Sequence, residues 1–191
     1  MRSLSRITEL AHHLVGLVIG EGDRAIDATA GNGHDTVFLA EQVGASGHVY
    51  SFDIQPEALE NTFNRLKQKN LEKRVTLFRE SHEHLQLHVP DRVAVIMYNL
   101  GYLPGRDRQI TTMYDTTIAS LRQALKMLLP GGLISIVFYP GHREGAEEKN
   151  RIIPFCRHLD SGQHVVLYNR LLNRGHSPPE LVLIQKKHKP E

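Results

Sequence analysis

Two glycines separated by one residue, within Asp27-Ala28-Thr29-Ala30-Gly31-Asn32-Gly33-His34-Asp35-Thr36, join a short apolar run to a helical pattern. Arg24-Ala25-Ile26 reads as a brief buried strand, and beyond the glycines Val37, Phe38, Leu39 and Val43 recur at helical spacing behind an Asp35-Thr36 start. A strand that passes into a helix through positions without side chains lets a small ligand lie against bare backbone at the helix N-terminus. Gly33 is therefore counted among the ligand-binding positions, and the chain is expected to fold around this turn.

The next strand candidate, His48-Val49-Tyr50-Ser51-Phe52-Asp53, ends in a carboxylate. Asp53 follows Gly31 by roughly the 20 residues at which an acid meets ribose hydroxyls, which implies a nucleoside ligand. Dinucleotide-binding loops share this layout, so an NAD-dependent oxidoreductase is the competing expectation. Two residues speak against it: Thr36 stands where such loops usually carry Gly or Ala, and Asp27 opens the loop with an acid. A carboxylate there suits a cofactor that carries an ammonium, through a charge-assisted hydrogen bond. S-adenosyl-L-methionine carries that group.

DATAGNGHDT, the VYSFDIQ segment with Asp53 and Gln55, Ser81-His82, and Asn99-Leu100-Gly101-Tyr102-Leu103-Pro104-Gly105 resemble the class I methyltransferases grouped as rRNA methylases. Within that group the resemblance runs to the bacterial tRNA 5-(aminomethyl)-2-thiouridine methyltransferases. It extends to Tyr139-Pro140-Gly141-His142 and Leu172-Asn173-Arg174-Gly175-His176-Ser177-Pro178, so it covers almost the whole chain. The family commonly continues its NLGYLP motif with a second Gly and a Lys, where this chain has Arg106 and Arg108. The family's substrate contacts in that loop are therefore not carried over.

At 191 residues and 40% hydrophobic, the chain can bury one substantial core and is too short to suggest two full domains. One domain over 1–191 is expected, with an N-terminal helix in 1–20 and a polar tail at 186–191. No apolar run approaches the roughly 20 residues of a membrane span, and the N-terminus lacks a compact signal core, so the expectation is a cytoplasmic protein with no membrane partner. The lone Cys156 reads as a helix core residue without chemistry. A net charge of +2 is too small for nucleic-acid binding by charge alone. Arg65, Lys67, Lys69, Lys73 and Arg74 read as a solvated face, whereas Arg106 with Arg108 and Arg170 with Arg174 flank the motifs and are candidates for RNA phosphate contact or ordinary surface charge.

Leu4, Ile7, Leu10, Ala11, Leu14, Leu17 and Val18 repeat at helical spacing up to Gly20–Gly22, giving an amphipathic helix that covers the sheet or a partner. Further strands are expected at 75–78, 93–98, 133–139, 165–168 and 181–185, with helices at 57–69, 111–129 and 145–158. This alternation predicts an α/β, Rossmann-like class I methyltransferase fold: a seven-stranded, mostly parallel sheet with helices on both faces, an antiparallel edge hairpin and an extra N-terminal helix. The helix and the hairpin are plausible surfaces for a homodimer.

In open α/β sheets ligands sit beyond the carboxyl ends of the strands, where Asp27, Asp53, Ser81, His82, Asn99 and Tyr139 to His142 all fall on this reading. Asp53, with Gln55 beside it, is expected on the ribose, Asn32 and His34 on the methionine side, and Ser81 with His82 at the adenine. Asp35 reads as a helix cap. Histidine spacings match no metal pattern and methyl transfer needs no metal, so none is expected. The Asn99 loop resembles the Asn-Pro-Pro-Tyr loop of amino-group methyltransferases, in which an Asn carbonyl accepts the hydrogens of a nitrogen nucleophile; a plain strand-to-helix turn is the alternative. An alkylamine also needs a group to take its proton, for which Asp107, Tyr102 and His142 are candidates, His142 foremost. Tyr98, Tyr102 or Tyr139 could stack on an unpaired base, and Tyr139 and His176 join the arginine pairs as candidate RNA-contacting residues.

The expected activity is N-methylation of the aminomethyl group of 5-aminomethyl(-2-thio)uridine at the tRNA wobble position, with the anticodon stem-loop as partner. Methylation of rRNA or of a small amine, or RNA binding without catalysis, are the rivals.

Overall fold

The computed structural model describes residues 6–101, 112–175 and 177–188. Their elements run in the order α1 (Ile7–Val15), β1 (Arg24–Asp27), α2 (His34–Gln42), β2 (His48–Asp53), α3 (Pro56–Gln68), β3 (Val75–Arg79), α4 (Leu85–His88), β4 (Val93–Asn99), α5 (Tyr114–Met127), β5 (Leu128–Phe138), α6 (Arg143–Arg157), β6 (His164–Asn169) and β7 (Glu180–Lys186). The strands form one sheet in the order β3-β2-β1-β4-β5-β7-β6. β1 to β5 are parallel, while β7 runs antiparallel to both β5 and β6, as the hairpin reading expects. The order reverses between β1 and β4, which opens a crevice at their carboxyl ends.

The uninterrupted apolar run Val93–Tyr98 makes β4 the central strand, buried on both faces. One core packs Leu121 and Ala124 of α5 and Ile152 and Cys156 of α6 onto the sheet. The other packs Ile7, Ala11 and Val15 of α1 with Val37 and Leu39 of α2 and Leu66 of α3 onto the opposite face. Ile7, Ala11 and Val15 of the N-terminal apolar stripe thus pack on the sheet, while Leu17 just beyond α1 is exposed. Cys156 is a core residue, and burial pushes its thiol up to about 12.

Some boundaries depart from the sequence reading. Strand β5 begins at Leu128 instead of Leu133, because Leu128 already pairs with Val93 and a register shift before the Val95–Leu133 pair takes up Pro130-Gly131-Gly132 as a bulge. Helix α5 begins at Tyr114, and Thr111, its expected start, lies outside the described residues. The short α4 has no counterpart in the sequence pattern, since one turn is too short to show a period. Strand β6 is half open to solvent: Val165, Leu167 and Tyr168 are all exposed, as an edge strand without a covering helix must be. No helix among the described residues is long and apolar enough to cross a membrane.

Candidate functional site

The carboxyl ends of β1 to β5 enclose a cavity of about 800 Å³. Its floor is the loop after β1. Gly31 and Gly33 both take positive φ, 51° and 77°, and a Cβ on Gly33 would lie 2.8 Å from the Cα of Thr62, so only glycine lets α3 approach the turn. Helix α3 then holds the loop from behind: Thr62 Oγ1 donates to the Gly31 carbonyl at 3.2 Å, Arg65 Nε to the Asn32 carbonyl at 2.8 Å, and Asn61 Nδ2 to Asn32 Oδ1 at 3.1 Å. Arg65 is thus a clamp on the loop and no member of a solvated face. Arg74, read into the same face, donates to the Ala40 carbonyl at 3.1 Å.

Asp53 sits at the end of β2 on the cavity wall with both oxygens oriented by backbone, Oδ2 accepting from Gly31 N and Oδ1 from Gln55 N, each at 2.9 Å. Burial raises its pKa, and the backbone donors oppose that rise. Each oxygen has a further lone pair for a diol. Gln55, Asn32, His34, Ser81 and His82 also line the cavity. His82 faces the Ala28 carbonyl with Nδ1 at 3.2 Å, while its Nε2 is buried without a partner among the described residues. Burial lowers its pKa to about 4, so the ring is neutral. Burial, and then the charge of Arg65, likewise lower that of His34. An oriented carboxylate, an apolar wall of Phe52 and Ile54 and an unsatisfied buried imidazole nitrogen fit a nucleoside.

Asp27 does not reach the wall, which corrects the expectation that it meets an ammonium. It is fully buried beneath the loop, accepting from Thr36 Oγ1 at 2.5 Å and from the Thr29 backbone N–H at 3.1 Å. Burial first, then the charge of Asp35, raise its pKa to about 7. Of the two acids in the loop motif, the one that lines the cavity is Asp35, read from sequence as a cap. The N-cap of α2 is Gly33, with no side-chain bond, and Asp35 instead accepts from Asn99 Nδ2 at 3.4 Å and meets His12 Nε2 at 2.6 Å. The acid in the DATAGNGHDT motif is visible in the sequence; its direction is not.

The raised pKa of Asp27 sets a sign. The native state holds this proton more tightly than the unfolded chain between the ordinary 3.8 and about 7, so the group lowers stability as pH climbs through that window. Asp27→Asn removes the effect. The melting temperature of that variant relative to wild type is expected to rise between pH 4 and pH 8, as thermal unfolding would read; a constant difference would mean the carboxyl titrates alike in both states.

Asn99 ends β4 with its backbone N–H donating to Thr29 Oγ1 at 2.7 Å, and its side-chain Oδ1 is buried without a partner among the described residues. Tyr139 is beside it on the wall, its phenol pushed up to about 12 chiefly by burial and then by the charge of Asp35. Tyr98 is excluded from base stacking: it is fully buried and bonds Ser120 Oγ at 2.7 Å. His142 lines the cavity, yet its Nδ1 accepts from Gly145 N at 3.1 Å as the N-cap of α6. A ring whose Nδ1 accepts carries its neutral-form proton on Nε2, so to act as a base it would have to break the cap. Arg174 is exposed, while Arg170 lies 3.6 Å from the buried Glu180. Tyr102, Arg106, Asp107, Arg108 and His176 lie outside the described residues.

Comparison with known proteins agrees with this geometry. A curated tRNA (mnm(5)s(2)U34)-methyltransferase, chloroplastic, from Arabidopsis thaliana is 38% identical over 193 residues, covering 96% of this chain and 70% of that protein. A crystal structure of a putative rRNA-methylase from Clostridium thermocellum is 38% identical, covers 96% of this chain and 99% of its own, and superposes with a TM-score of 0.94. A putative methyltransferase from Streptococcus mutans, crystallised with S-adenosylhomocysteine, is 34% identical over 96% of this chain and 99% of its own, with a TM-score of 0.87. The sequence model described as putative rRNA methylase matches residues 49–185. With that match spanning most of its length, the chain belongs to the putative rRNA methylase family.

Proposed function

We propose that this protein is an S-adenosyl-L-methionine-dependent N-methyltransferase whose substrate is the aminomethyl group at C5 of the wobble uridine in tRNA. The observation that carries it lies at the end of β4, where Asn99 donates its Nδ2 to the Asp35 carboxylate at 3.4 Å and leaves its carbonyl Oδ1 buried and unpartnered among the described residues. Two acceptors side by side suit a nucleophile rich in N–H bonds, and an aminomethyl group presents several. The Arabidopsis relative is named for the same nucleoside.

Asp53 would accept from both ribose hydroxyls, His82 would bond the adenine edge, and the backbone of the Gly31–Gly33 turn would lie against the methionine end beside Asn32 and His34. When bound, the cofactor supplies a methyl group on a cationic sulfur. The protein's own work is positioning: Asn99 Oδ1 accepts an amine N–H so that the nitrogen lone pair points at the methyl. Tyr139 offers an aromatic edge for the uracil. The experiment is mass spectrometry of tRNA from a deletion strain, which is expected to accumulate unmethylated aminomethyl nucleoside; a lesion confined to rRNA would overturn the reading.

Exposed Arg174 and its neighbour Arg170 are suited to phosphate contact. Changing both to alanine is expected to lower stem-loop affinity and to flatten its dependence on salt by about one to two counterions, measured by fluorescence anisotropy over a salt series. The cytoplasm is where such a substrate and cofactor meet. Self-association is assigned to the open edge of β6, where Val165, Leu167 and Tyr168 are exposed. Leu167→Glu is expected to convert a two-chain species to one in sedimentation velocity, and a wild-type chain that sediments as a monomer would remove the assignment.

A further inference from the structure

An alkylammonium with a lysine-like pKa near ~10.4 is neutral in only about one molecule in a few thousand at pH 7, so the reaction needs a group that takes its proton. Of the candidates read from sequence, Asp107 and Tyr102 lie outside the described residues, and His142 uses Nδ1 to cap α6. Asp35 satisfies the geometry. It is on the cavity wall, in the first turn of α2 where the helix dipole favours an anion, and it shares Asn99 with the nucleophile's place at the end of β4. Behind it His12 of α1 stands with Nε2 at 2.6 Å from Asp35 Oδ1 and its ring stacked on Phe38, with centroids 4.1 Å apart and planes within 4°. The His12 side chain is 27% exposed against 8% for Asp35, so the contact leads from the cavity toward solvent.

We infer that Asp35 receives the ammonium of the substrate and takes its proton, and that His12 is the positioning residue that aims the carboxylate. The inference deepens the proposed amine substrate and rests on it. The step balances by itself: an R–NH3+ group and the Asp35 carboxylate become R–NH2 and the Asp35 carboxylic acid, the electron pair of the broken N–H bond staying on nitrogen. His12 Nε2 keeps its N–H on Asp35 Oδ1 throughout, and the Asp35 carboxylic acid gives its proton to water once the methylated amine has left. The titratable groups that face Asp35 from the packed elements are His12 on α1, Asp27 on β1, His34 beside it on α2, and Tyr139 after β5. Tyr139, pushed up to about 12, stays neutral throughout the range of the test.

The test uses Asp35→Asn, His12→Gln and His12→Phe in the full chain, with anticodon stem-loops that carry or lack the aminomethyl group. Binding comes first, with S-adenosylhomocysteine present: wild type is expected to prefer the aminomethyl stem-loop by about tenfold, and Asp35→Asn to lose the preference while keeping its affinity for S-adenosylhomocysteine within about threefold. Retained affinity also shows that the variant is folded. Single-turnover methylation by Asp35→Asn at pH 7 is expected to fall by about 100-fold or more, and to recover about tenfold per pH unit as free amine becomes abundant. His12→Gln, which can still bond Asp35, is expected to outperform His12→Phe, which keeps only the stack. A rate within threefold of wild type for Asp35→Asn overturns the inference. So does a loss of S-adenosylhomocysteine affinity with the aminomethyl preference intact, which would assign Asp35 to the cofactor. Wild type that binds S-adenosylhomocysteine but methylates no aminomethyl stem-loop overturns the substrate reading itself, and this inference falls with it.

Discussion

Asp53→Ala is expected to weaken S-adenosylhomocysteine binding by about 100- to 1,000-fold, the largest effect on affinity of any single change in the cavity. Hydrogen bonds to a charged acceptor contribute about 1.5–3 kcal/mol each, and a ribose diol would lose two of them. A second loss accompanies the first, because the Gly31 and Gln55 backbone N–H groups are left without their acceptor and the turn on which the cofactor lies loosens. Asp53→Asn separates the two: one amide oxygen can still receive a backbone N–H, but its NH2 group faces a donor on the other side, so an intermediate loss is expected. Acid should mimic the substitution. Because burial holds the Asp53 carboxyl above the ordinary aspartate range, protonation removes the diol acceptor sooner on the way down in pH, and affinity should fall earlier than for an exposed aspartate. Calorimetry across a pH series with each variant checks this, and undiminished affinity in Asp53→Ala would place the ribose elsewhere.

The second large effect is on rate. Asn99→Ala is expected to lower kcat by about 100- to 1,000-fold, the usual consequence of removing one preorganised polar group that acts on the reacting atom. Cofactor affinity should stay within about threefold, since the Asn99 side chain bonds Asp35 rather than Asp53 or His82. The backbone N–H of Asn99 still donates to Thr29, so the strand end keeps its position and the loss is that of the amide itself. Asn99→Asp is no rescue, because it sets a second carboxyl against Asp35. Single-turnover methyl transfer to an aminomethyl stem-loop measures the effect. A raised KM with unchanged kcat would reduce Asn99 to substrate binding.

Both residues are legible in the amino-acid sequence, and the reason is positional. A strand read from an apolar run has an end, and in a parallel α/β sheet that end faces the ligand crevice; Asp53, Asn99 and Ser81-His82 follow from this rule. The spacing from Gly31 to Asp53 and the helical stripe of α1 belong to the same local grammar. Asp27 is the instructive departure. It too ends a strand, but Thr36 and the Thr29 backbone draw its carboxyl under the loop, while Asp35, eight residues on, turns out to the cavity. Arg65 reads as a surface charge on its helix, and only the approach of α3 to the Gly33 turn makes it a clamp.

Local patterns in the chain are enough to say which residues form strands and helices, that the sheet is wrapped on both faces, and which end of it holds the ligand, because periodicity, glycine placement and strand-end polarity are properties of short segments. Folding in three dimensions settles which of two nearby acids meets the cavity, that His142 is spent as a cap, and that His12, from the far N-terminal helix, backs Asp35. Those outcomes depend on side-chain direction and on partners distant in the chain, 23 residues in the case of His12 and Asp35 and 64 in that of Asn99 and Asp35, and no pattern along one strand or helix encodes them.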